Sequence, residues 1–428
     1  MAEQRIQYTE EMVGAGHPTK ADTLNRLMLV EHGTDGAHKS TNVYTDLITK
    51  GPWRDVRAYG AVGDGVTDDT AAIQAALDDI PYTGGKVFIP FGTYKVSSTL
   101  TASNTTELFG VGANGSIIST ASPTAHVIAV YGGGCYIHDI QISSSVTKTA
   151  GAHIFIATSG SSSTIERFML YNYFVGIDIY ADCCVRVFNG QCRFGVSGTW
   201  TAGIAISAGT DHKIDQITMD NVVGTQCESG IRVTSADAPL ITNCDIIHHG
   251  TGLNIWPGAG QIVSSLWAAN SFFDNNNMRG ATLGGAGTIS RCRFADCWFS
   301  SNTWEGIHIF NTCTIAGVDI SNPHVFLNGA HGVQVDKSCD DLKISGGFIG
   351  GNGQDGIAIA SNVSNFSIIG VRSGNGGGAG NNGLAGIRVN AGTSNQYIIS
   401  LCNVLGNTGG GIIDNGTGMD KIVNFNMG

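Results

Sequence analysis

The sequence predicts an all-β chain wound into a parallel β-helix, a single-stranded solenoid of about ten coils. Three periodic columns predict it. A Gly precedes an apolar-x-apolar triplet at Gly176, Gly203, Gly230, Gly252, Gly306, Gly332, Gly356 and Gly386, and a shorter Ile-Ile version follows Gly411. The steps are 27, 27, 22, 54, 26, 24, 30 and 25 residues, and Gly280-Ala-Thr-Leu fills the double step. Four residues before these glycines stand Asn172, Asn276, Asn302, Asn328, Asn352, Asn382 and Asn407, with Gln226 and His248 in two of the gaps. Seven before them runs an apolar column of Phe273, Phe299, Val325, Ile349 and Val404. Each repeat is then one rung: a strand with its apolar residue inside, a turn carrying a stackable amide, and a short Ile-x-Ile strand facing the same core. Amides stacked from coil to coil satisfy turn backbone that would otherwise stay unpaired. Period-2 alternation rules out helical solenoids, and the missing Leu-x-x-Leu-x-Leu frame argues against leucine-rich repeats.

Three segments follow. Residues 1–50 lack the repeat, carry Leu24, Leu27 and Met28 at helical spacing and end in a polar loop with His32 and His38. Residues 51–120 form a non-repetitive lead-in unit: a strand over Val56–Tyr59, a Gly-rich turn, a helix from about Asp68 to Asp79 and a strand over Lys86–Ile89. Thr67, Asp68 and Asp69 supply cap oxygens for that helix, and Ile73, Ala76 and Leu77 form its apolar stripe. Such a helix would cover the open edge of the first coil. Residues 121–428 are coils.

Composition sets limits. With 61 Gly in 428 residues and 13% charged residues, the chain is turn-rich and charge-poor. A net charge of −11 with no basic stripe excludes a nucleic-acid partner. It also disfavours a polyanionic substrate unless local arginines offset the field. No signal-like apolar segment opens the chain and no run is long enough to cross a membrane, so synthesis in a cytoplasm without a signal peptide is expected. Eleven Cys, most in inward phase, read as reduced core residues, and Cys183-Cys184 is too close for ordinary bridging. No metal site and no cofactor are expected, the two loop histidines being usually just polar.

The stretch Asp55-Val-Arg-Ala-Tyr-Gly-Ala-Val-Gly-Asp-Gly-Val-Thr-Asp-Asp-Thr-Ala-Ala-Ile-Gln-Ala-Ala-Leu, followed by Gly-Gly-Lys-Val-Phe-Ile-Pro-Phe-Gly-Thr-Tyr, resembles the opening signature of the pectate-lyase superfamily, the right-handed parallel β-helix proteins of pectin-lyase-like fold. The segment Glu31-His-Gly-Thr-Asp-Gly-Ala-His-Lys resembles anchoring segments of bacteriophage tail proteins. Together the resemblances imply a phage tailspike: a homotrimer on the virion tail, fixed to a tail or baseplate protein through residues 1–50, that binds a host cell-surface polysaccharide and often cleaves it. Catalytic residues differ in place among such proteins, so none transfers by motif.

Candidate residues therefore come from the coil register. One residue before the repeat Gly the column reads Arg279, Glu305, His331, Asp355. Neighbouring coils stack about 4.8 Å apart. Glu305 and Asp355 thus lie near the roughly 6.5–9.5 Å separation of inverting glycosidases, with His331 between them to tune a proton. A ladder of structural ion pairs would give the same pattern. A second carboxylate group is Asp274 and Asp296, beside Phe272 and Trp298, a combination that suits a sugar subsite or a subunit interface. Trp256, Trp304 and His308, with Phe310, are placed to line an extended groove, while Glu228 reads as a solvated turn residue and Glu166, Arg193 and Asp220 as an ion-pair ladder. The favoured activity is glycoside hydrolysis by paired carboxylates, with Arg279, His331, Trp256, Trp298, Trp304 and His308 binding the glycan. A polysaccharide lyase, which a Ca²⁺ requirement would mark, and a non-catalytic receptor-binding spike stand as alternatives.

Overall fold

The computed structural model describes residues 53–221, 227–337, 339–374 and 380–427. Two parallel sheets carry the chain, one of 13 strands and one of 28. Each coil gives one strand to the smaller sheet and most of the rest of its length to the larger. The register follows the repeat: Ile177 pairs in turn with Ile204, Ile231, Leu253, Ala281, Ile307, Val333, Ile357, Ile387 and Ile412. The stack has thirteen turns rather than ten, because strands Leu100–Ala102, Ile128–Val130 and Ala152–Ile156 join the sheet without the Gly signal. They keep the inward apolar residues Leu100, Ile128 and Ile154, all fully buried. The glycine is demanded by close stacking: a Cβ on Gly306 would stand 2.7 Å from the carbonyl oxygen of Gly332 one coil on.

The amide ladder runs unbroken from Asn276 to Asn407. Asn276 Nδ2 donates to Asn302 Oδ1 at 3.0 Å, and the links 302–328, 328–352, 352–382 and 382–407 follow at 2.8, 2.9, 2.9 and 2.8 Å. Asn172 stands outside it, exposed, and bonds the Ser144 carbonyl. His248 does not substitute either: its backbone is left-handed and its ring turns to Asp220, while the His249 N–H donates to Oδ1 of Asn276, the first amide of the ladder. Gln226 lies outside the described residues. Nine of the eleven cysteines are buried and all are free.

The lead-in unit differs in one element. Val56–Tyr59 is a 3-10 turn, not a strand, because the Asp55 carboxylate accepts the Arg57 N–H and Gly60 closes the turn in a left-handed conformation. Helix α1, Thr70–Asp78, buries Ile73, Ala76 and Leu77. Its Gln74 amide pairs with both the N–H and the carbonyl of Thr101, on the first strand of the 13-stranded sheet, at 2.8 and 3.0 Å. The helix thereby closes that edge. Asp68 caps the Thr70 N–H, whereas Asp69 turns back to the Val62 and Gly63 N–H groups. At the opposite end the inward column Ile359, Val389 is continued by Asp414, which accepts from Lys421 Nζ at 2.9 Å and from Tyr397 Oη at 2.6 Å. A charged pair thus terminates the apolar lumen. No helix among the described residues is long and apolar enough to cross a membrane.

Candidate functional site

The middle residue of each Gly-Ile-x-Ile strand faces out, and the register stacks these residues into a line: Asp178, Ala205, Arg232, Asn254, Thr282, His308, Gln334, Ala358, Arg388. Over Arg232, Asn254 and Thr282 lies a pocket of about 310 Å³. Trp256 and Phe310 wall it on the side where the strands end; Trp200, Glu228, Thr251, Met278 and Arg279 wall it on the side where they begin. An apolar, aromatic enclosure with a few convergent polar groups is the usual form of a small-ligand or sugar site. A larger, open hollow of about 750 Å³ flanks the last coils, but there the polar lining is tied down locally, Lys421 to Asp414 and the Asp420 N–H to Asn395. The pocket over Arg232 is the better candidate.

Its geometry is built around one strained residue. Trp200 sits at φ +66°, in the left-handed region that bulky side chains avoid. Two charged side chains hold it there. The Glu228 carboxylate accepts the Trp200 N–H, and an Arg232 terminal nitrogen donates to the Trp200 carbonyl. The guanidinium also lies 5.4 Å from the Trp200 ring centre. Arg232 is 7% exposed, yet its Nε finds no partner among the described residues. The guanidinium brings a positive charge to the pocket floor. The rest of the floor is satisfied internally: Thr282 donates to Asn254 at 2.7 Å, and Asn254 to Ser229 at 3.1 Å.

At the far end Arg279 crosses the line of floor residues. Its guanidinium lies 4.6 Å from the Trp304 ring and 5.0 Å from the Phe310 ring, and its Nε donates to Glu305 at 2.6 Å. Phe310 in turn stacks on His308 at 3.8 Å, so that imidazole is covered and outside the pocket. Trp256 packs edge-on against Phe310 at 5.5 Å. The indole passes over Gly284, where a Cβ would run into its ring.

The expected column of Arg279, Glu305, His331 and Asp355 does stack as adjacent pairs, but as buried charge rather than as an open edge. Glu305 is 8% and Asp355 1% exposed. Asp355 accepts both bonds of its pair from Arg388 Nε at 3.0 Å, takes the Ala385 N–H at 2.8 Å and stands 3.4 Å from His331. Glu305 meets Arg279 and, at 3.4 Å, His308, whose other nitrogen reaches Asp336 at 2.7 Å. Burial pushes the Glu305 carboxyl up, but contact with His308 and the charge of Arg279 outweigh it and hold the group at about 2. Burial keeps His331 below the ordinary imidazole value despite Asp355. Asp274 and Trp298 lie on the 28-stranded sheet and Asp296 in a turn between two of its strands, away from the pocket: Asp274 accepts from Ser300, Asp296 from Asn322, and Trp298 joins an aromatic row with Phe272, His324 and Phe326. Arg193 and Asp220 pair at 3.5 Å, while Glu166 belongs with Tyr136 and Arg167 instead. Of the residues singled out as substrate-binding, Trp256 and Arg279 are brought together in the pocket; Trp304 lies behind Arg279.

Trp200, Arg232, Asn254 and Thr282 were not singled out by sequence reasoning, and Glu228 was read as solvated. The signal existed. Four successive coils from Arg232 to His308 place a polar residue at the x of the repeat, where a solvated sheet face and a site floor look alike in one dimension.

Residues 53–319 match the family described as Rhamnogalacturonase A/epimerase, pectate lyase-like. The chain belongs to this family. A curated relative, mannuronan C5-epimerase AlgE1 of Azotobacter vinelandii, is 39% identical over 90 residues, 18% of this chain and 6% of that protein's length. Among solved structures, the A-module of mannuronan C-5 epimerase AlgE6 of the same organism superposes with a TM-score of 0.57 at 16% identity, covering 87% of this chain and 98% of the module. Tailspike protein 3 of bacteriophage CBA120 gives a TM-score of 0.63 at 14% identity, covering 87% of this chain and 61% of the tailspike. At these identities the structural likeness speaks for the shared β-helix fold.

Proposed function

We propose that this protein is a tailspike-type polysaccharide depolymerase, trimeric on a virion tail and attached through residues 1–50, that binds a host surface glycan in the pocket over Arg232. The observation that carries this reading is the pocket itself: three aromatic rings, a buried arginine and a single carboxylate, Glu228, converging on one small volume. Aromatic faces bind the C–H faces of sugars, and the arginines suit a carboxylated sugar despite the chain's negative charge. With one carboxylate and two arginines in reach, the chemistry that fits best is elimination on a uronate. Glu228 takes the proton on the carbon beside the sugar carboxylate, whose charge Arg232 offsets; the electron pair forms a carbon–carbon double bond, and the glycosidic oxygen on the far carbon leaves with a proton from solvent.

Size-exclusion chromatography of host capsule or lipopolysaccharide after incubation tests the proposal. Shortened chains with a new ultraviolet absorbance support elimination, and shortened chains without it support hydrolysis. Bound protein on unshortened chains points to an adhesin, and neither binding nor shortening defeats the reading.

A further inference from the structure

We infer that the pocket over Arg232 is closed at both ends along the solenoid, so that it takes one terminal or branch sugar of a glycan rather than a unit inside a chain running the length of the sheet. The inference rests on the glycan reading above and adds to it a mode of action: cleavage or capture from chain ends.

The outward line of a solenoid sheet is by default an open trough, since every coil repeats the same profile. Here two arginine–aromatic pairs interrupt it. At one end Trp200, fixed by Glu228 and Arg232, stands beside the floor, and beyond it Ala205 is fully covered. At the other, Arg279 lies between the Trp304 and Phe310 rings and bridges the two walls. The floor residue past this bar, His308, is 5% exposed under Phe310. The bar is anchored, because the carboxylate that receives Arg279 Nε stays ionised down to a pH of about 2. A guanidinium held by a buried ion pair and two rings is a fixed wall across ordinary pH. The volume of about 310 Å³ has room for one sugar ring, and the two bars leave no path for the next units along the sheet.

The test uses the full chain, wild type, Arg279→Lys and Arg279→Ala. Lysine keeps a charge for Glu305 but cannot fill the gap between the rings, so it serves where alanine fails to fold. With the polymer that is shortened in the chromatographic assay, wild type should release products of one small size while the bulk chain shortens slowly, and Arg279→Lys should give mixed lengths from the first time points. Mixed lengths from the wild type at the outset overturn the inference while leaving the depolymerase reading standing. In parallel, intrinsic tryptophan fluorescence is titrated with free D-glucuronate and D-galacturonate, with D-glucose as control. A saturable change with a uronate, weakened at least tenfold in Arg279→Lys, supports a one-sugar pocket even if no polymer is cleaved. No saturable response to any monosaccharide, or one indifferent to Arg279, overturns it.

Discussion

Two stretches of the same 13-stranded sheet, built from the same repeat, use their charged residues in opposite ways. Between Trp200 and Thr282, Glu228 and Arg232 face open volume: both hydrogen-bond to the Trp200 backbone, Arg232 also lies beside the Trp200 ring, and both line the pocket. Between Glu305 and Arg388 they close on one another, and both column carboxylates are buried against arginine. Stacking alone therefore does not make a site. Parallel register brings acidic residues into line wherever the period places them; what separates chemistry from architecture is whether a neighbouring coil already supplies the counter-charge.

The contrast is sharpened first by Glu228→Gln, which should lower cleavage by about 10²–10⁴-fold with the melting temperature unchanged, read as initial rates on the polymer. Its counterpart is Asp355→Ala. Removing a carboxylate that is 1% exposed strands Arg388 and the Ala385 N–H, and a loss of about 3–5 kcal/mol in denaturant unfolding is expected, with activity per folded molecule retained. If Asp355→Ala stays stable and goes inactive, the division between the two stretches fails.

A pH experiment probes the same line. The Glu305 carboxyl falls from an ordinary 4.5 to about 2 on folding, so its contribution is full above about 4.5 and is lost as pH drops towards about 2. Wild type should lose stability through that window, and Glu305→Gln should lose less of it over the same range, measured by urea midpoints at fixed salt. The smallest expected effect belongs to Gly284→Ala: the new methyl displaces the Trp256 ring from Phe310, weakening glycan affinity by roughly tenfold, ~1.4 kcal/mol, while leaving the fold intact. Unchanged affinity would remove Trp256 from the pocket's working wall.

The winding of the chain was legible because the constraints that produce it are local and repeated. Gly306 must lack a side chain against the Gly332 carbonyl, and Asn302 must be an amide to link Asn276 with Asn328. Where those signals are absent the reading fell short: the first three coils stack through Leu100, Ile128 and Ile154 without the glycine, and Val56–Tyr59 turned because Asp55 caps it. The same register placed Arg279, Glu305, His331 and Asp355 in one column, as expected. It did not reveal that Arg388, a mid-strand residue of the following coil, reaches back to claim Asp355, nor that Trp200 adopts a left-handed backbone to stand over Arg232. Both facts depend on side chains crossing between columns, which a linear period does not encode. Of the residues named from sequence for the groove, Trp256, Arg279 and Phe310 line the pocket; Glu228 was visible but lacked its context.

The most direct measurement places Glu228→Gln and Glu305→Gln side by side on one polysaccharide, recording rate of chain shortening and acid stability for each. The account predicts that Glu228→Gln is folded and inactive, while Glu305→Gln cleaves and loses only its low-pH stability dependence. Full activity in Glu228→Gln together with a folded, inactive Glu305→Gln would contradict it.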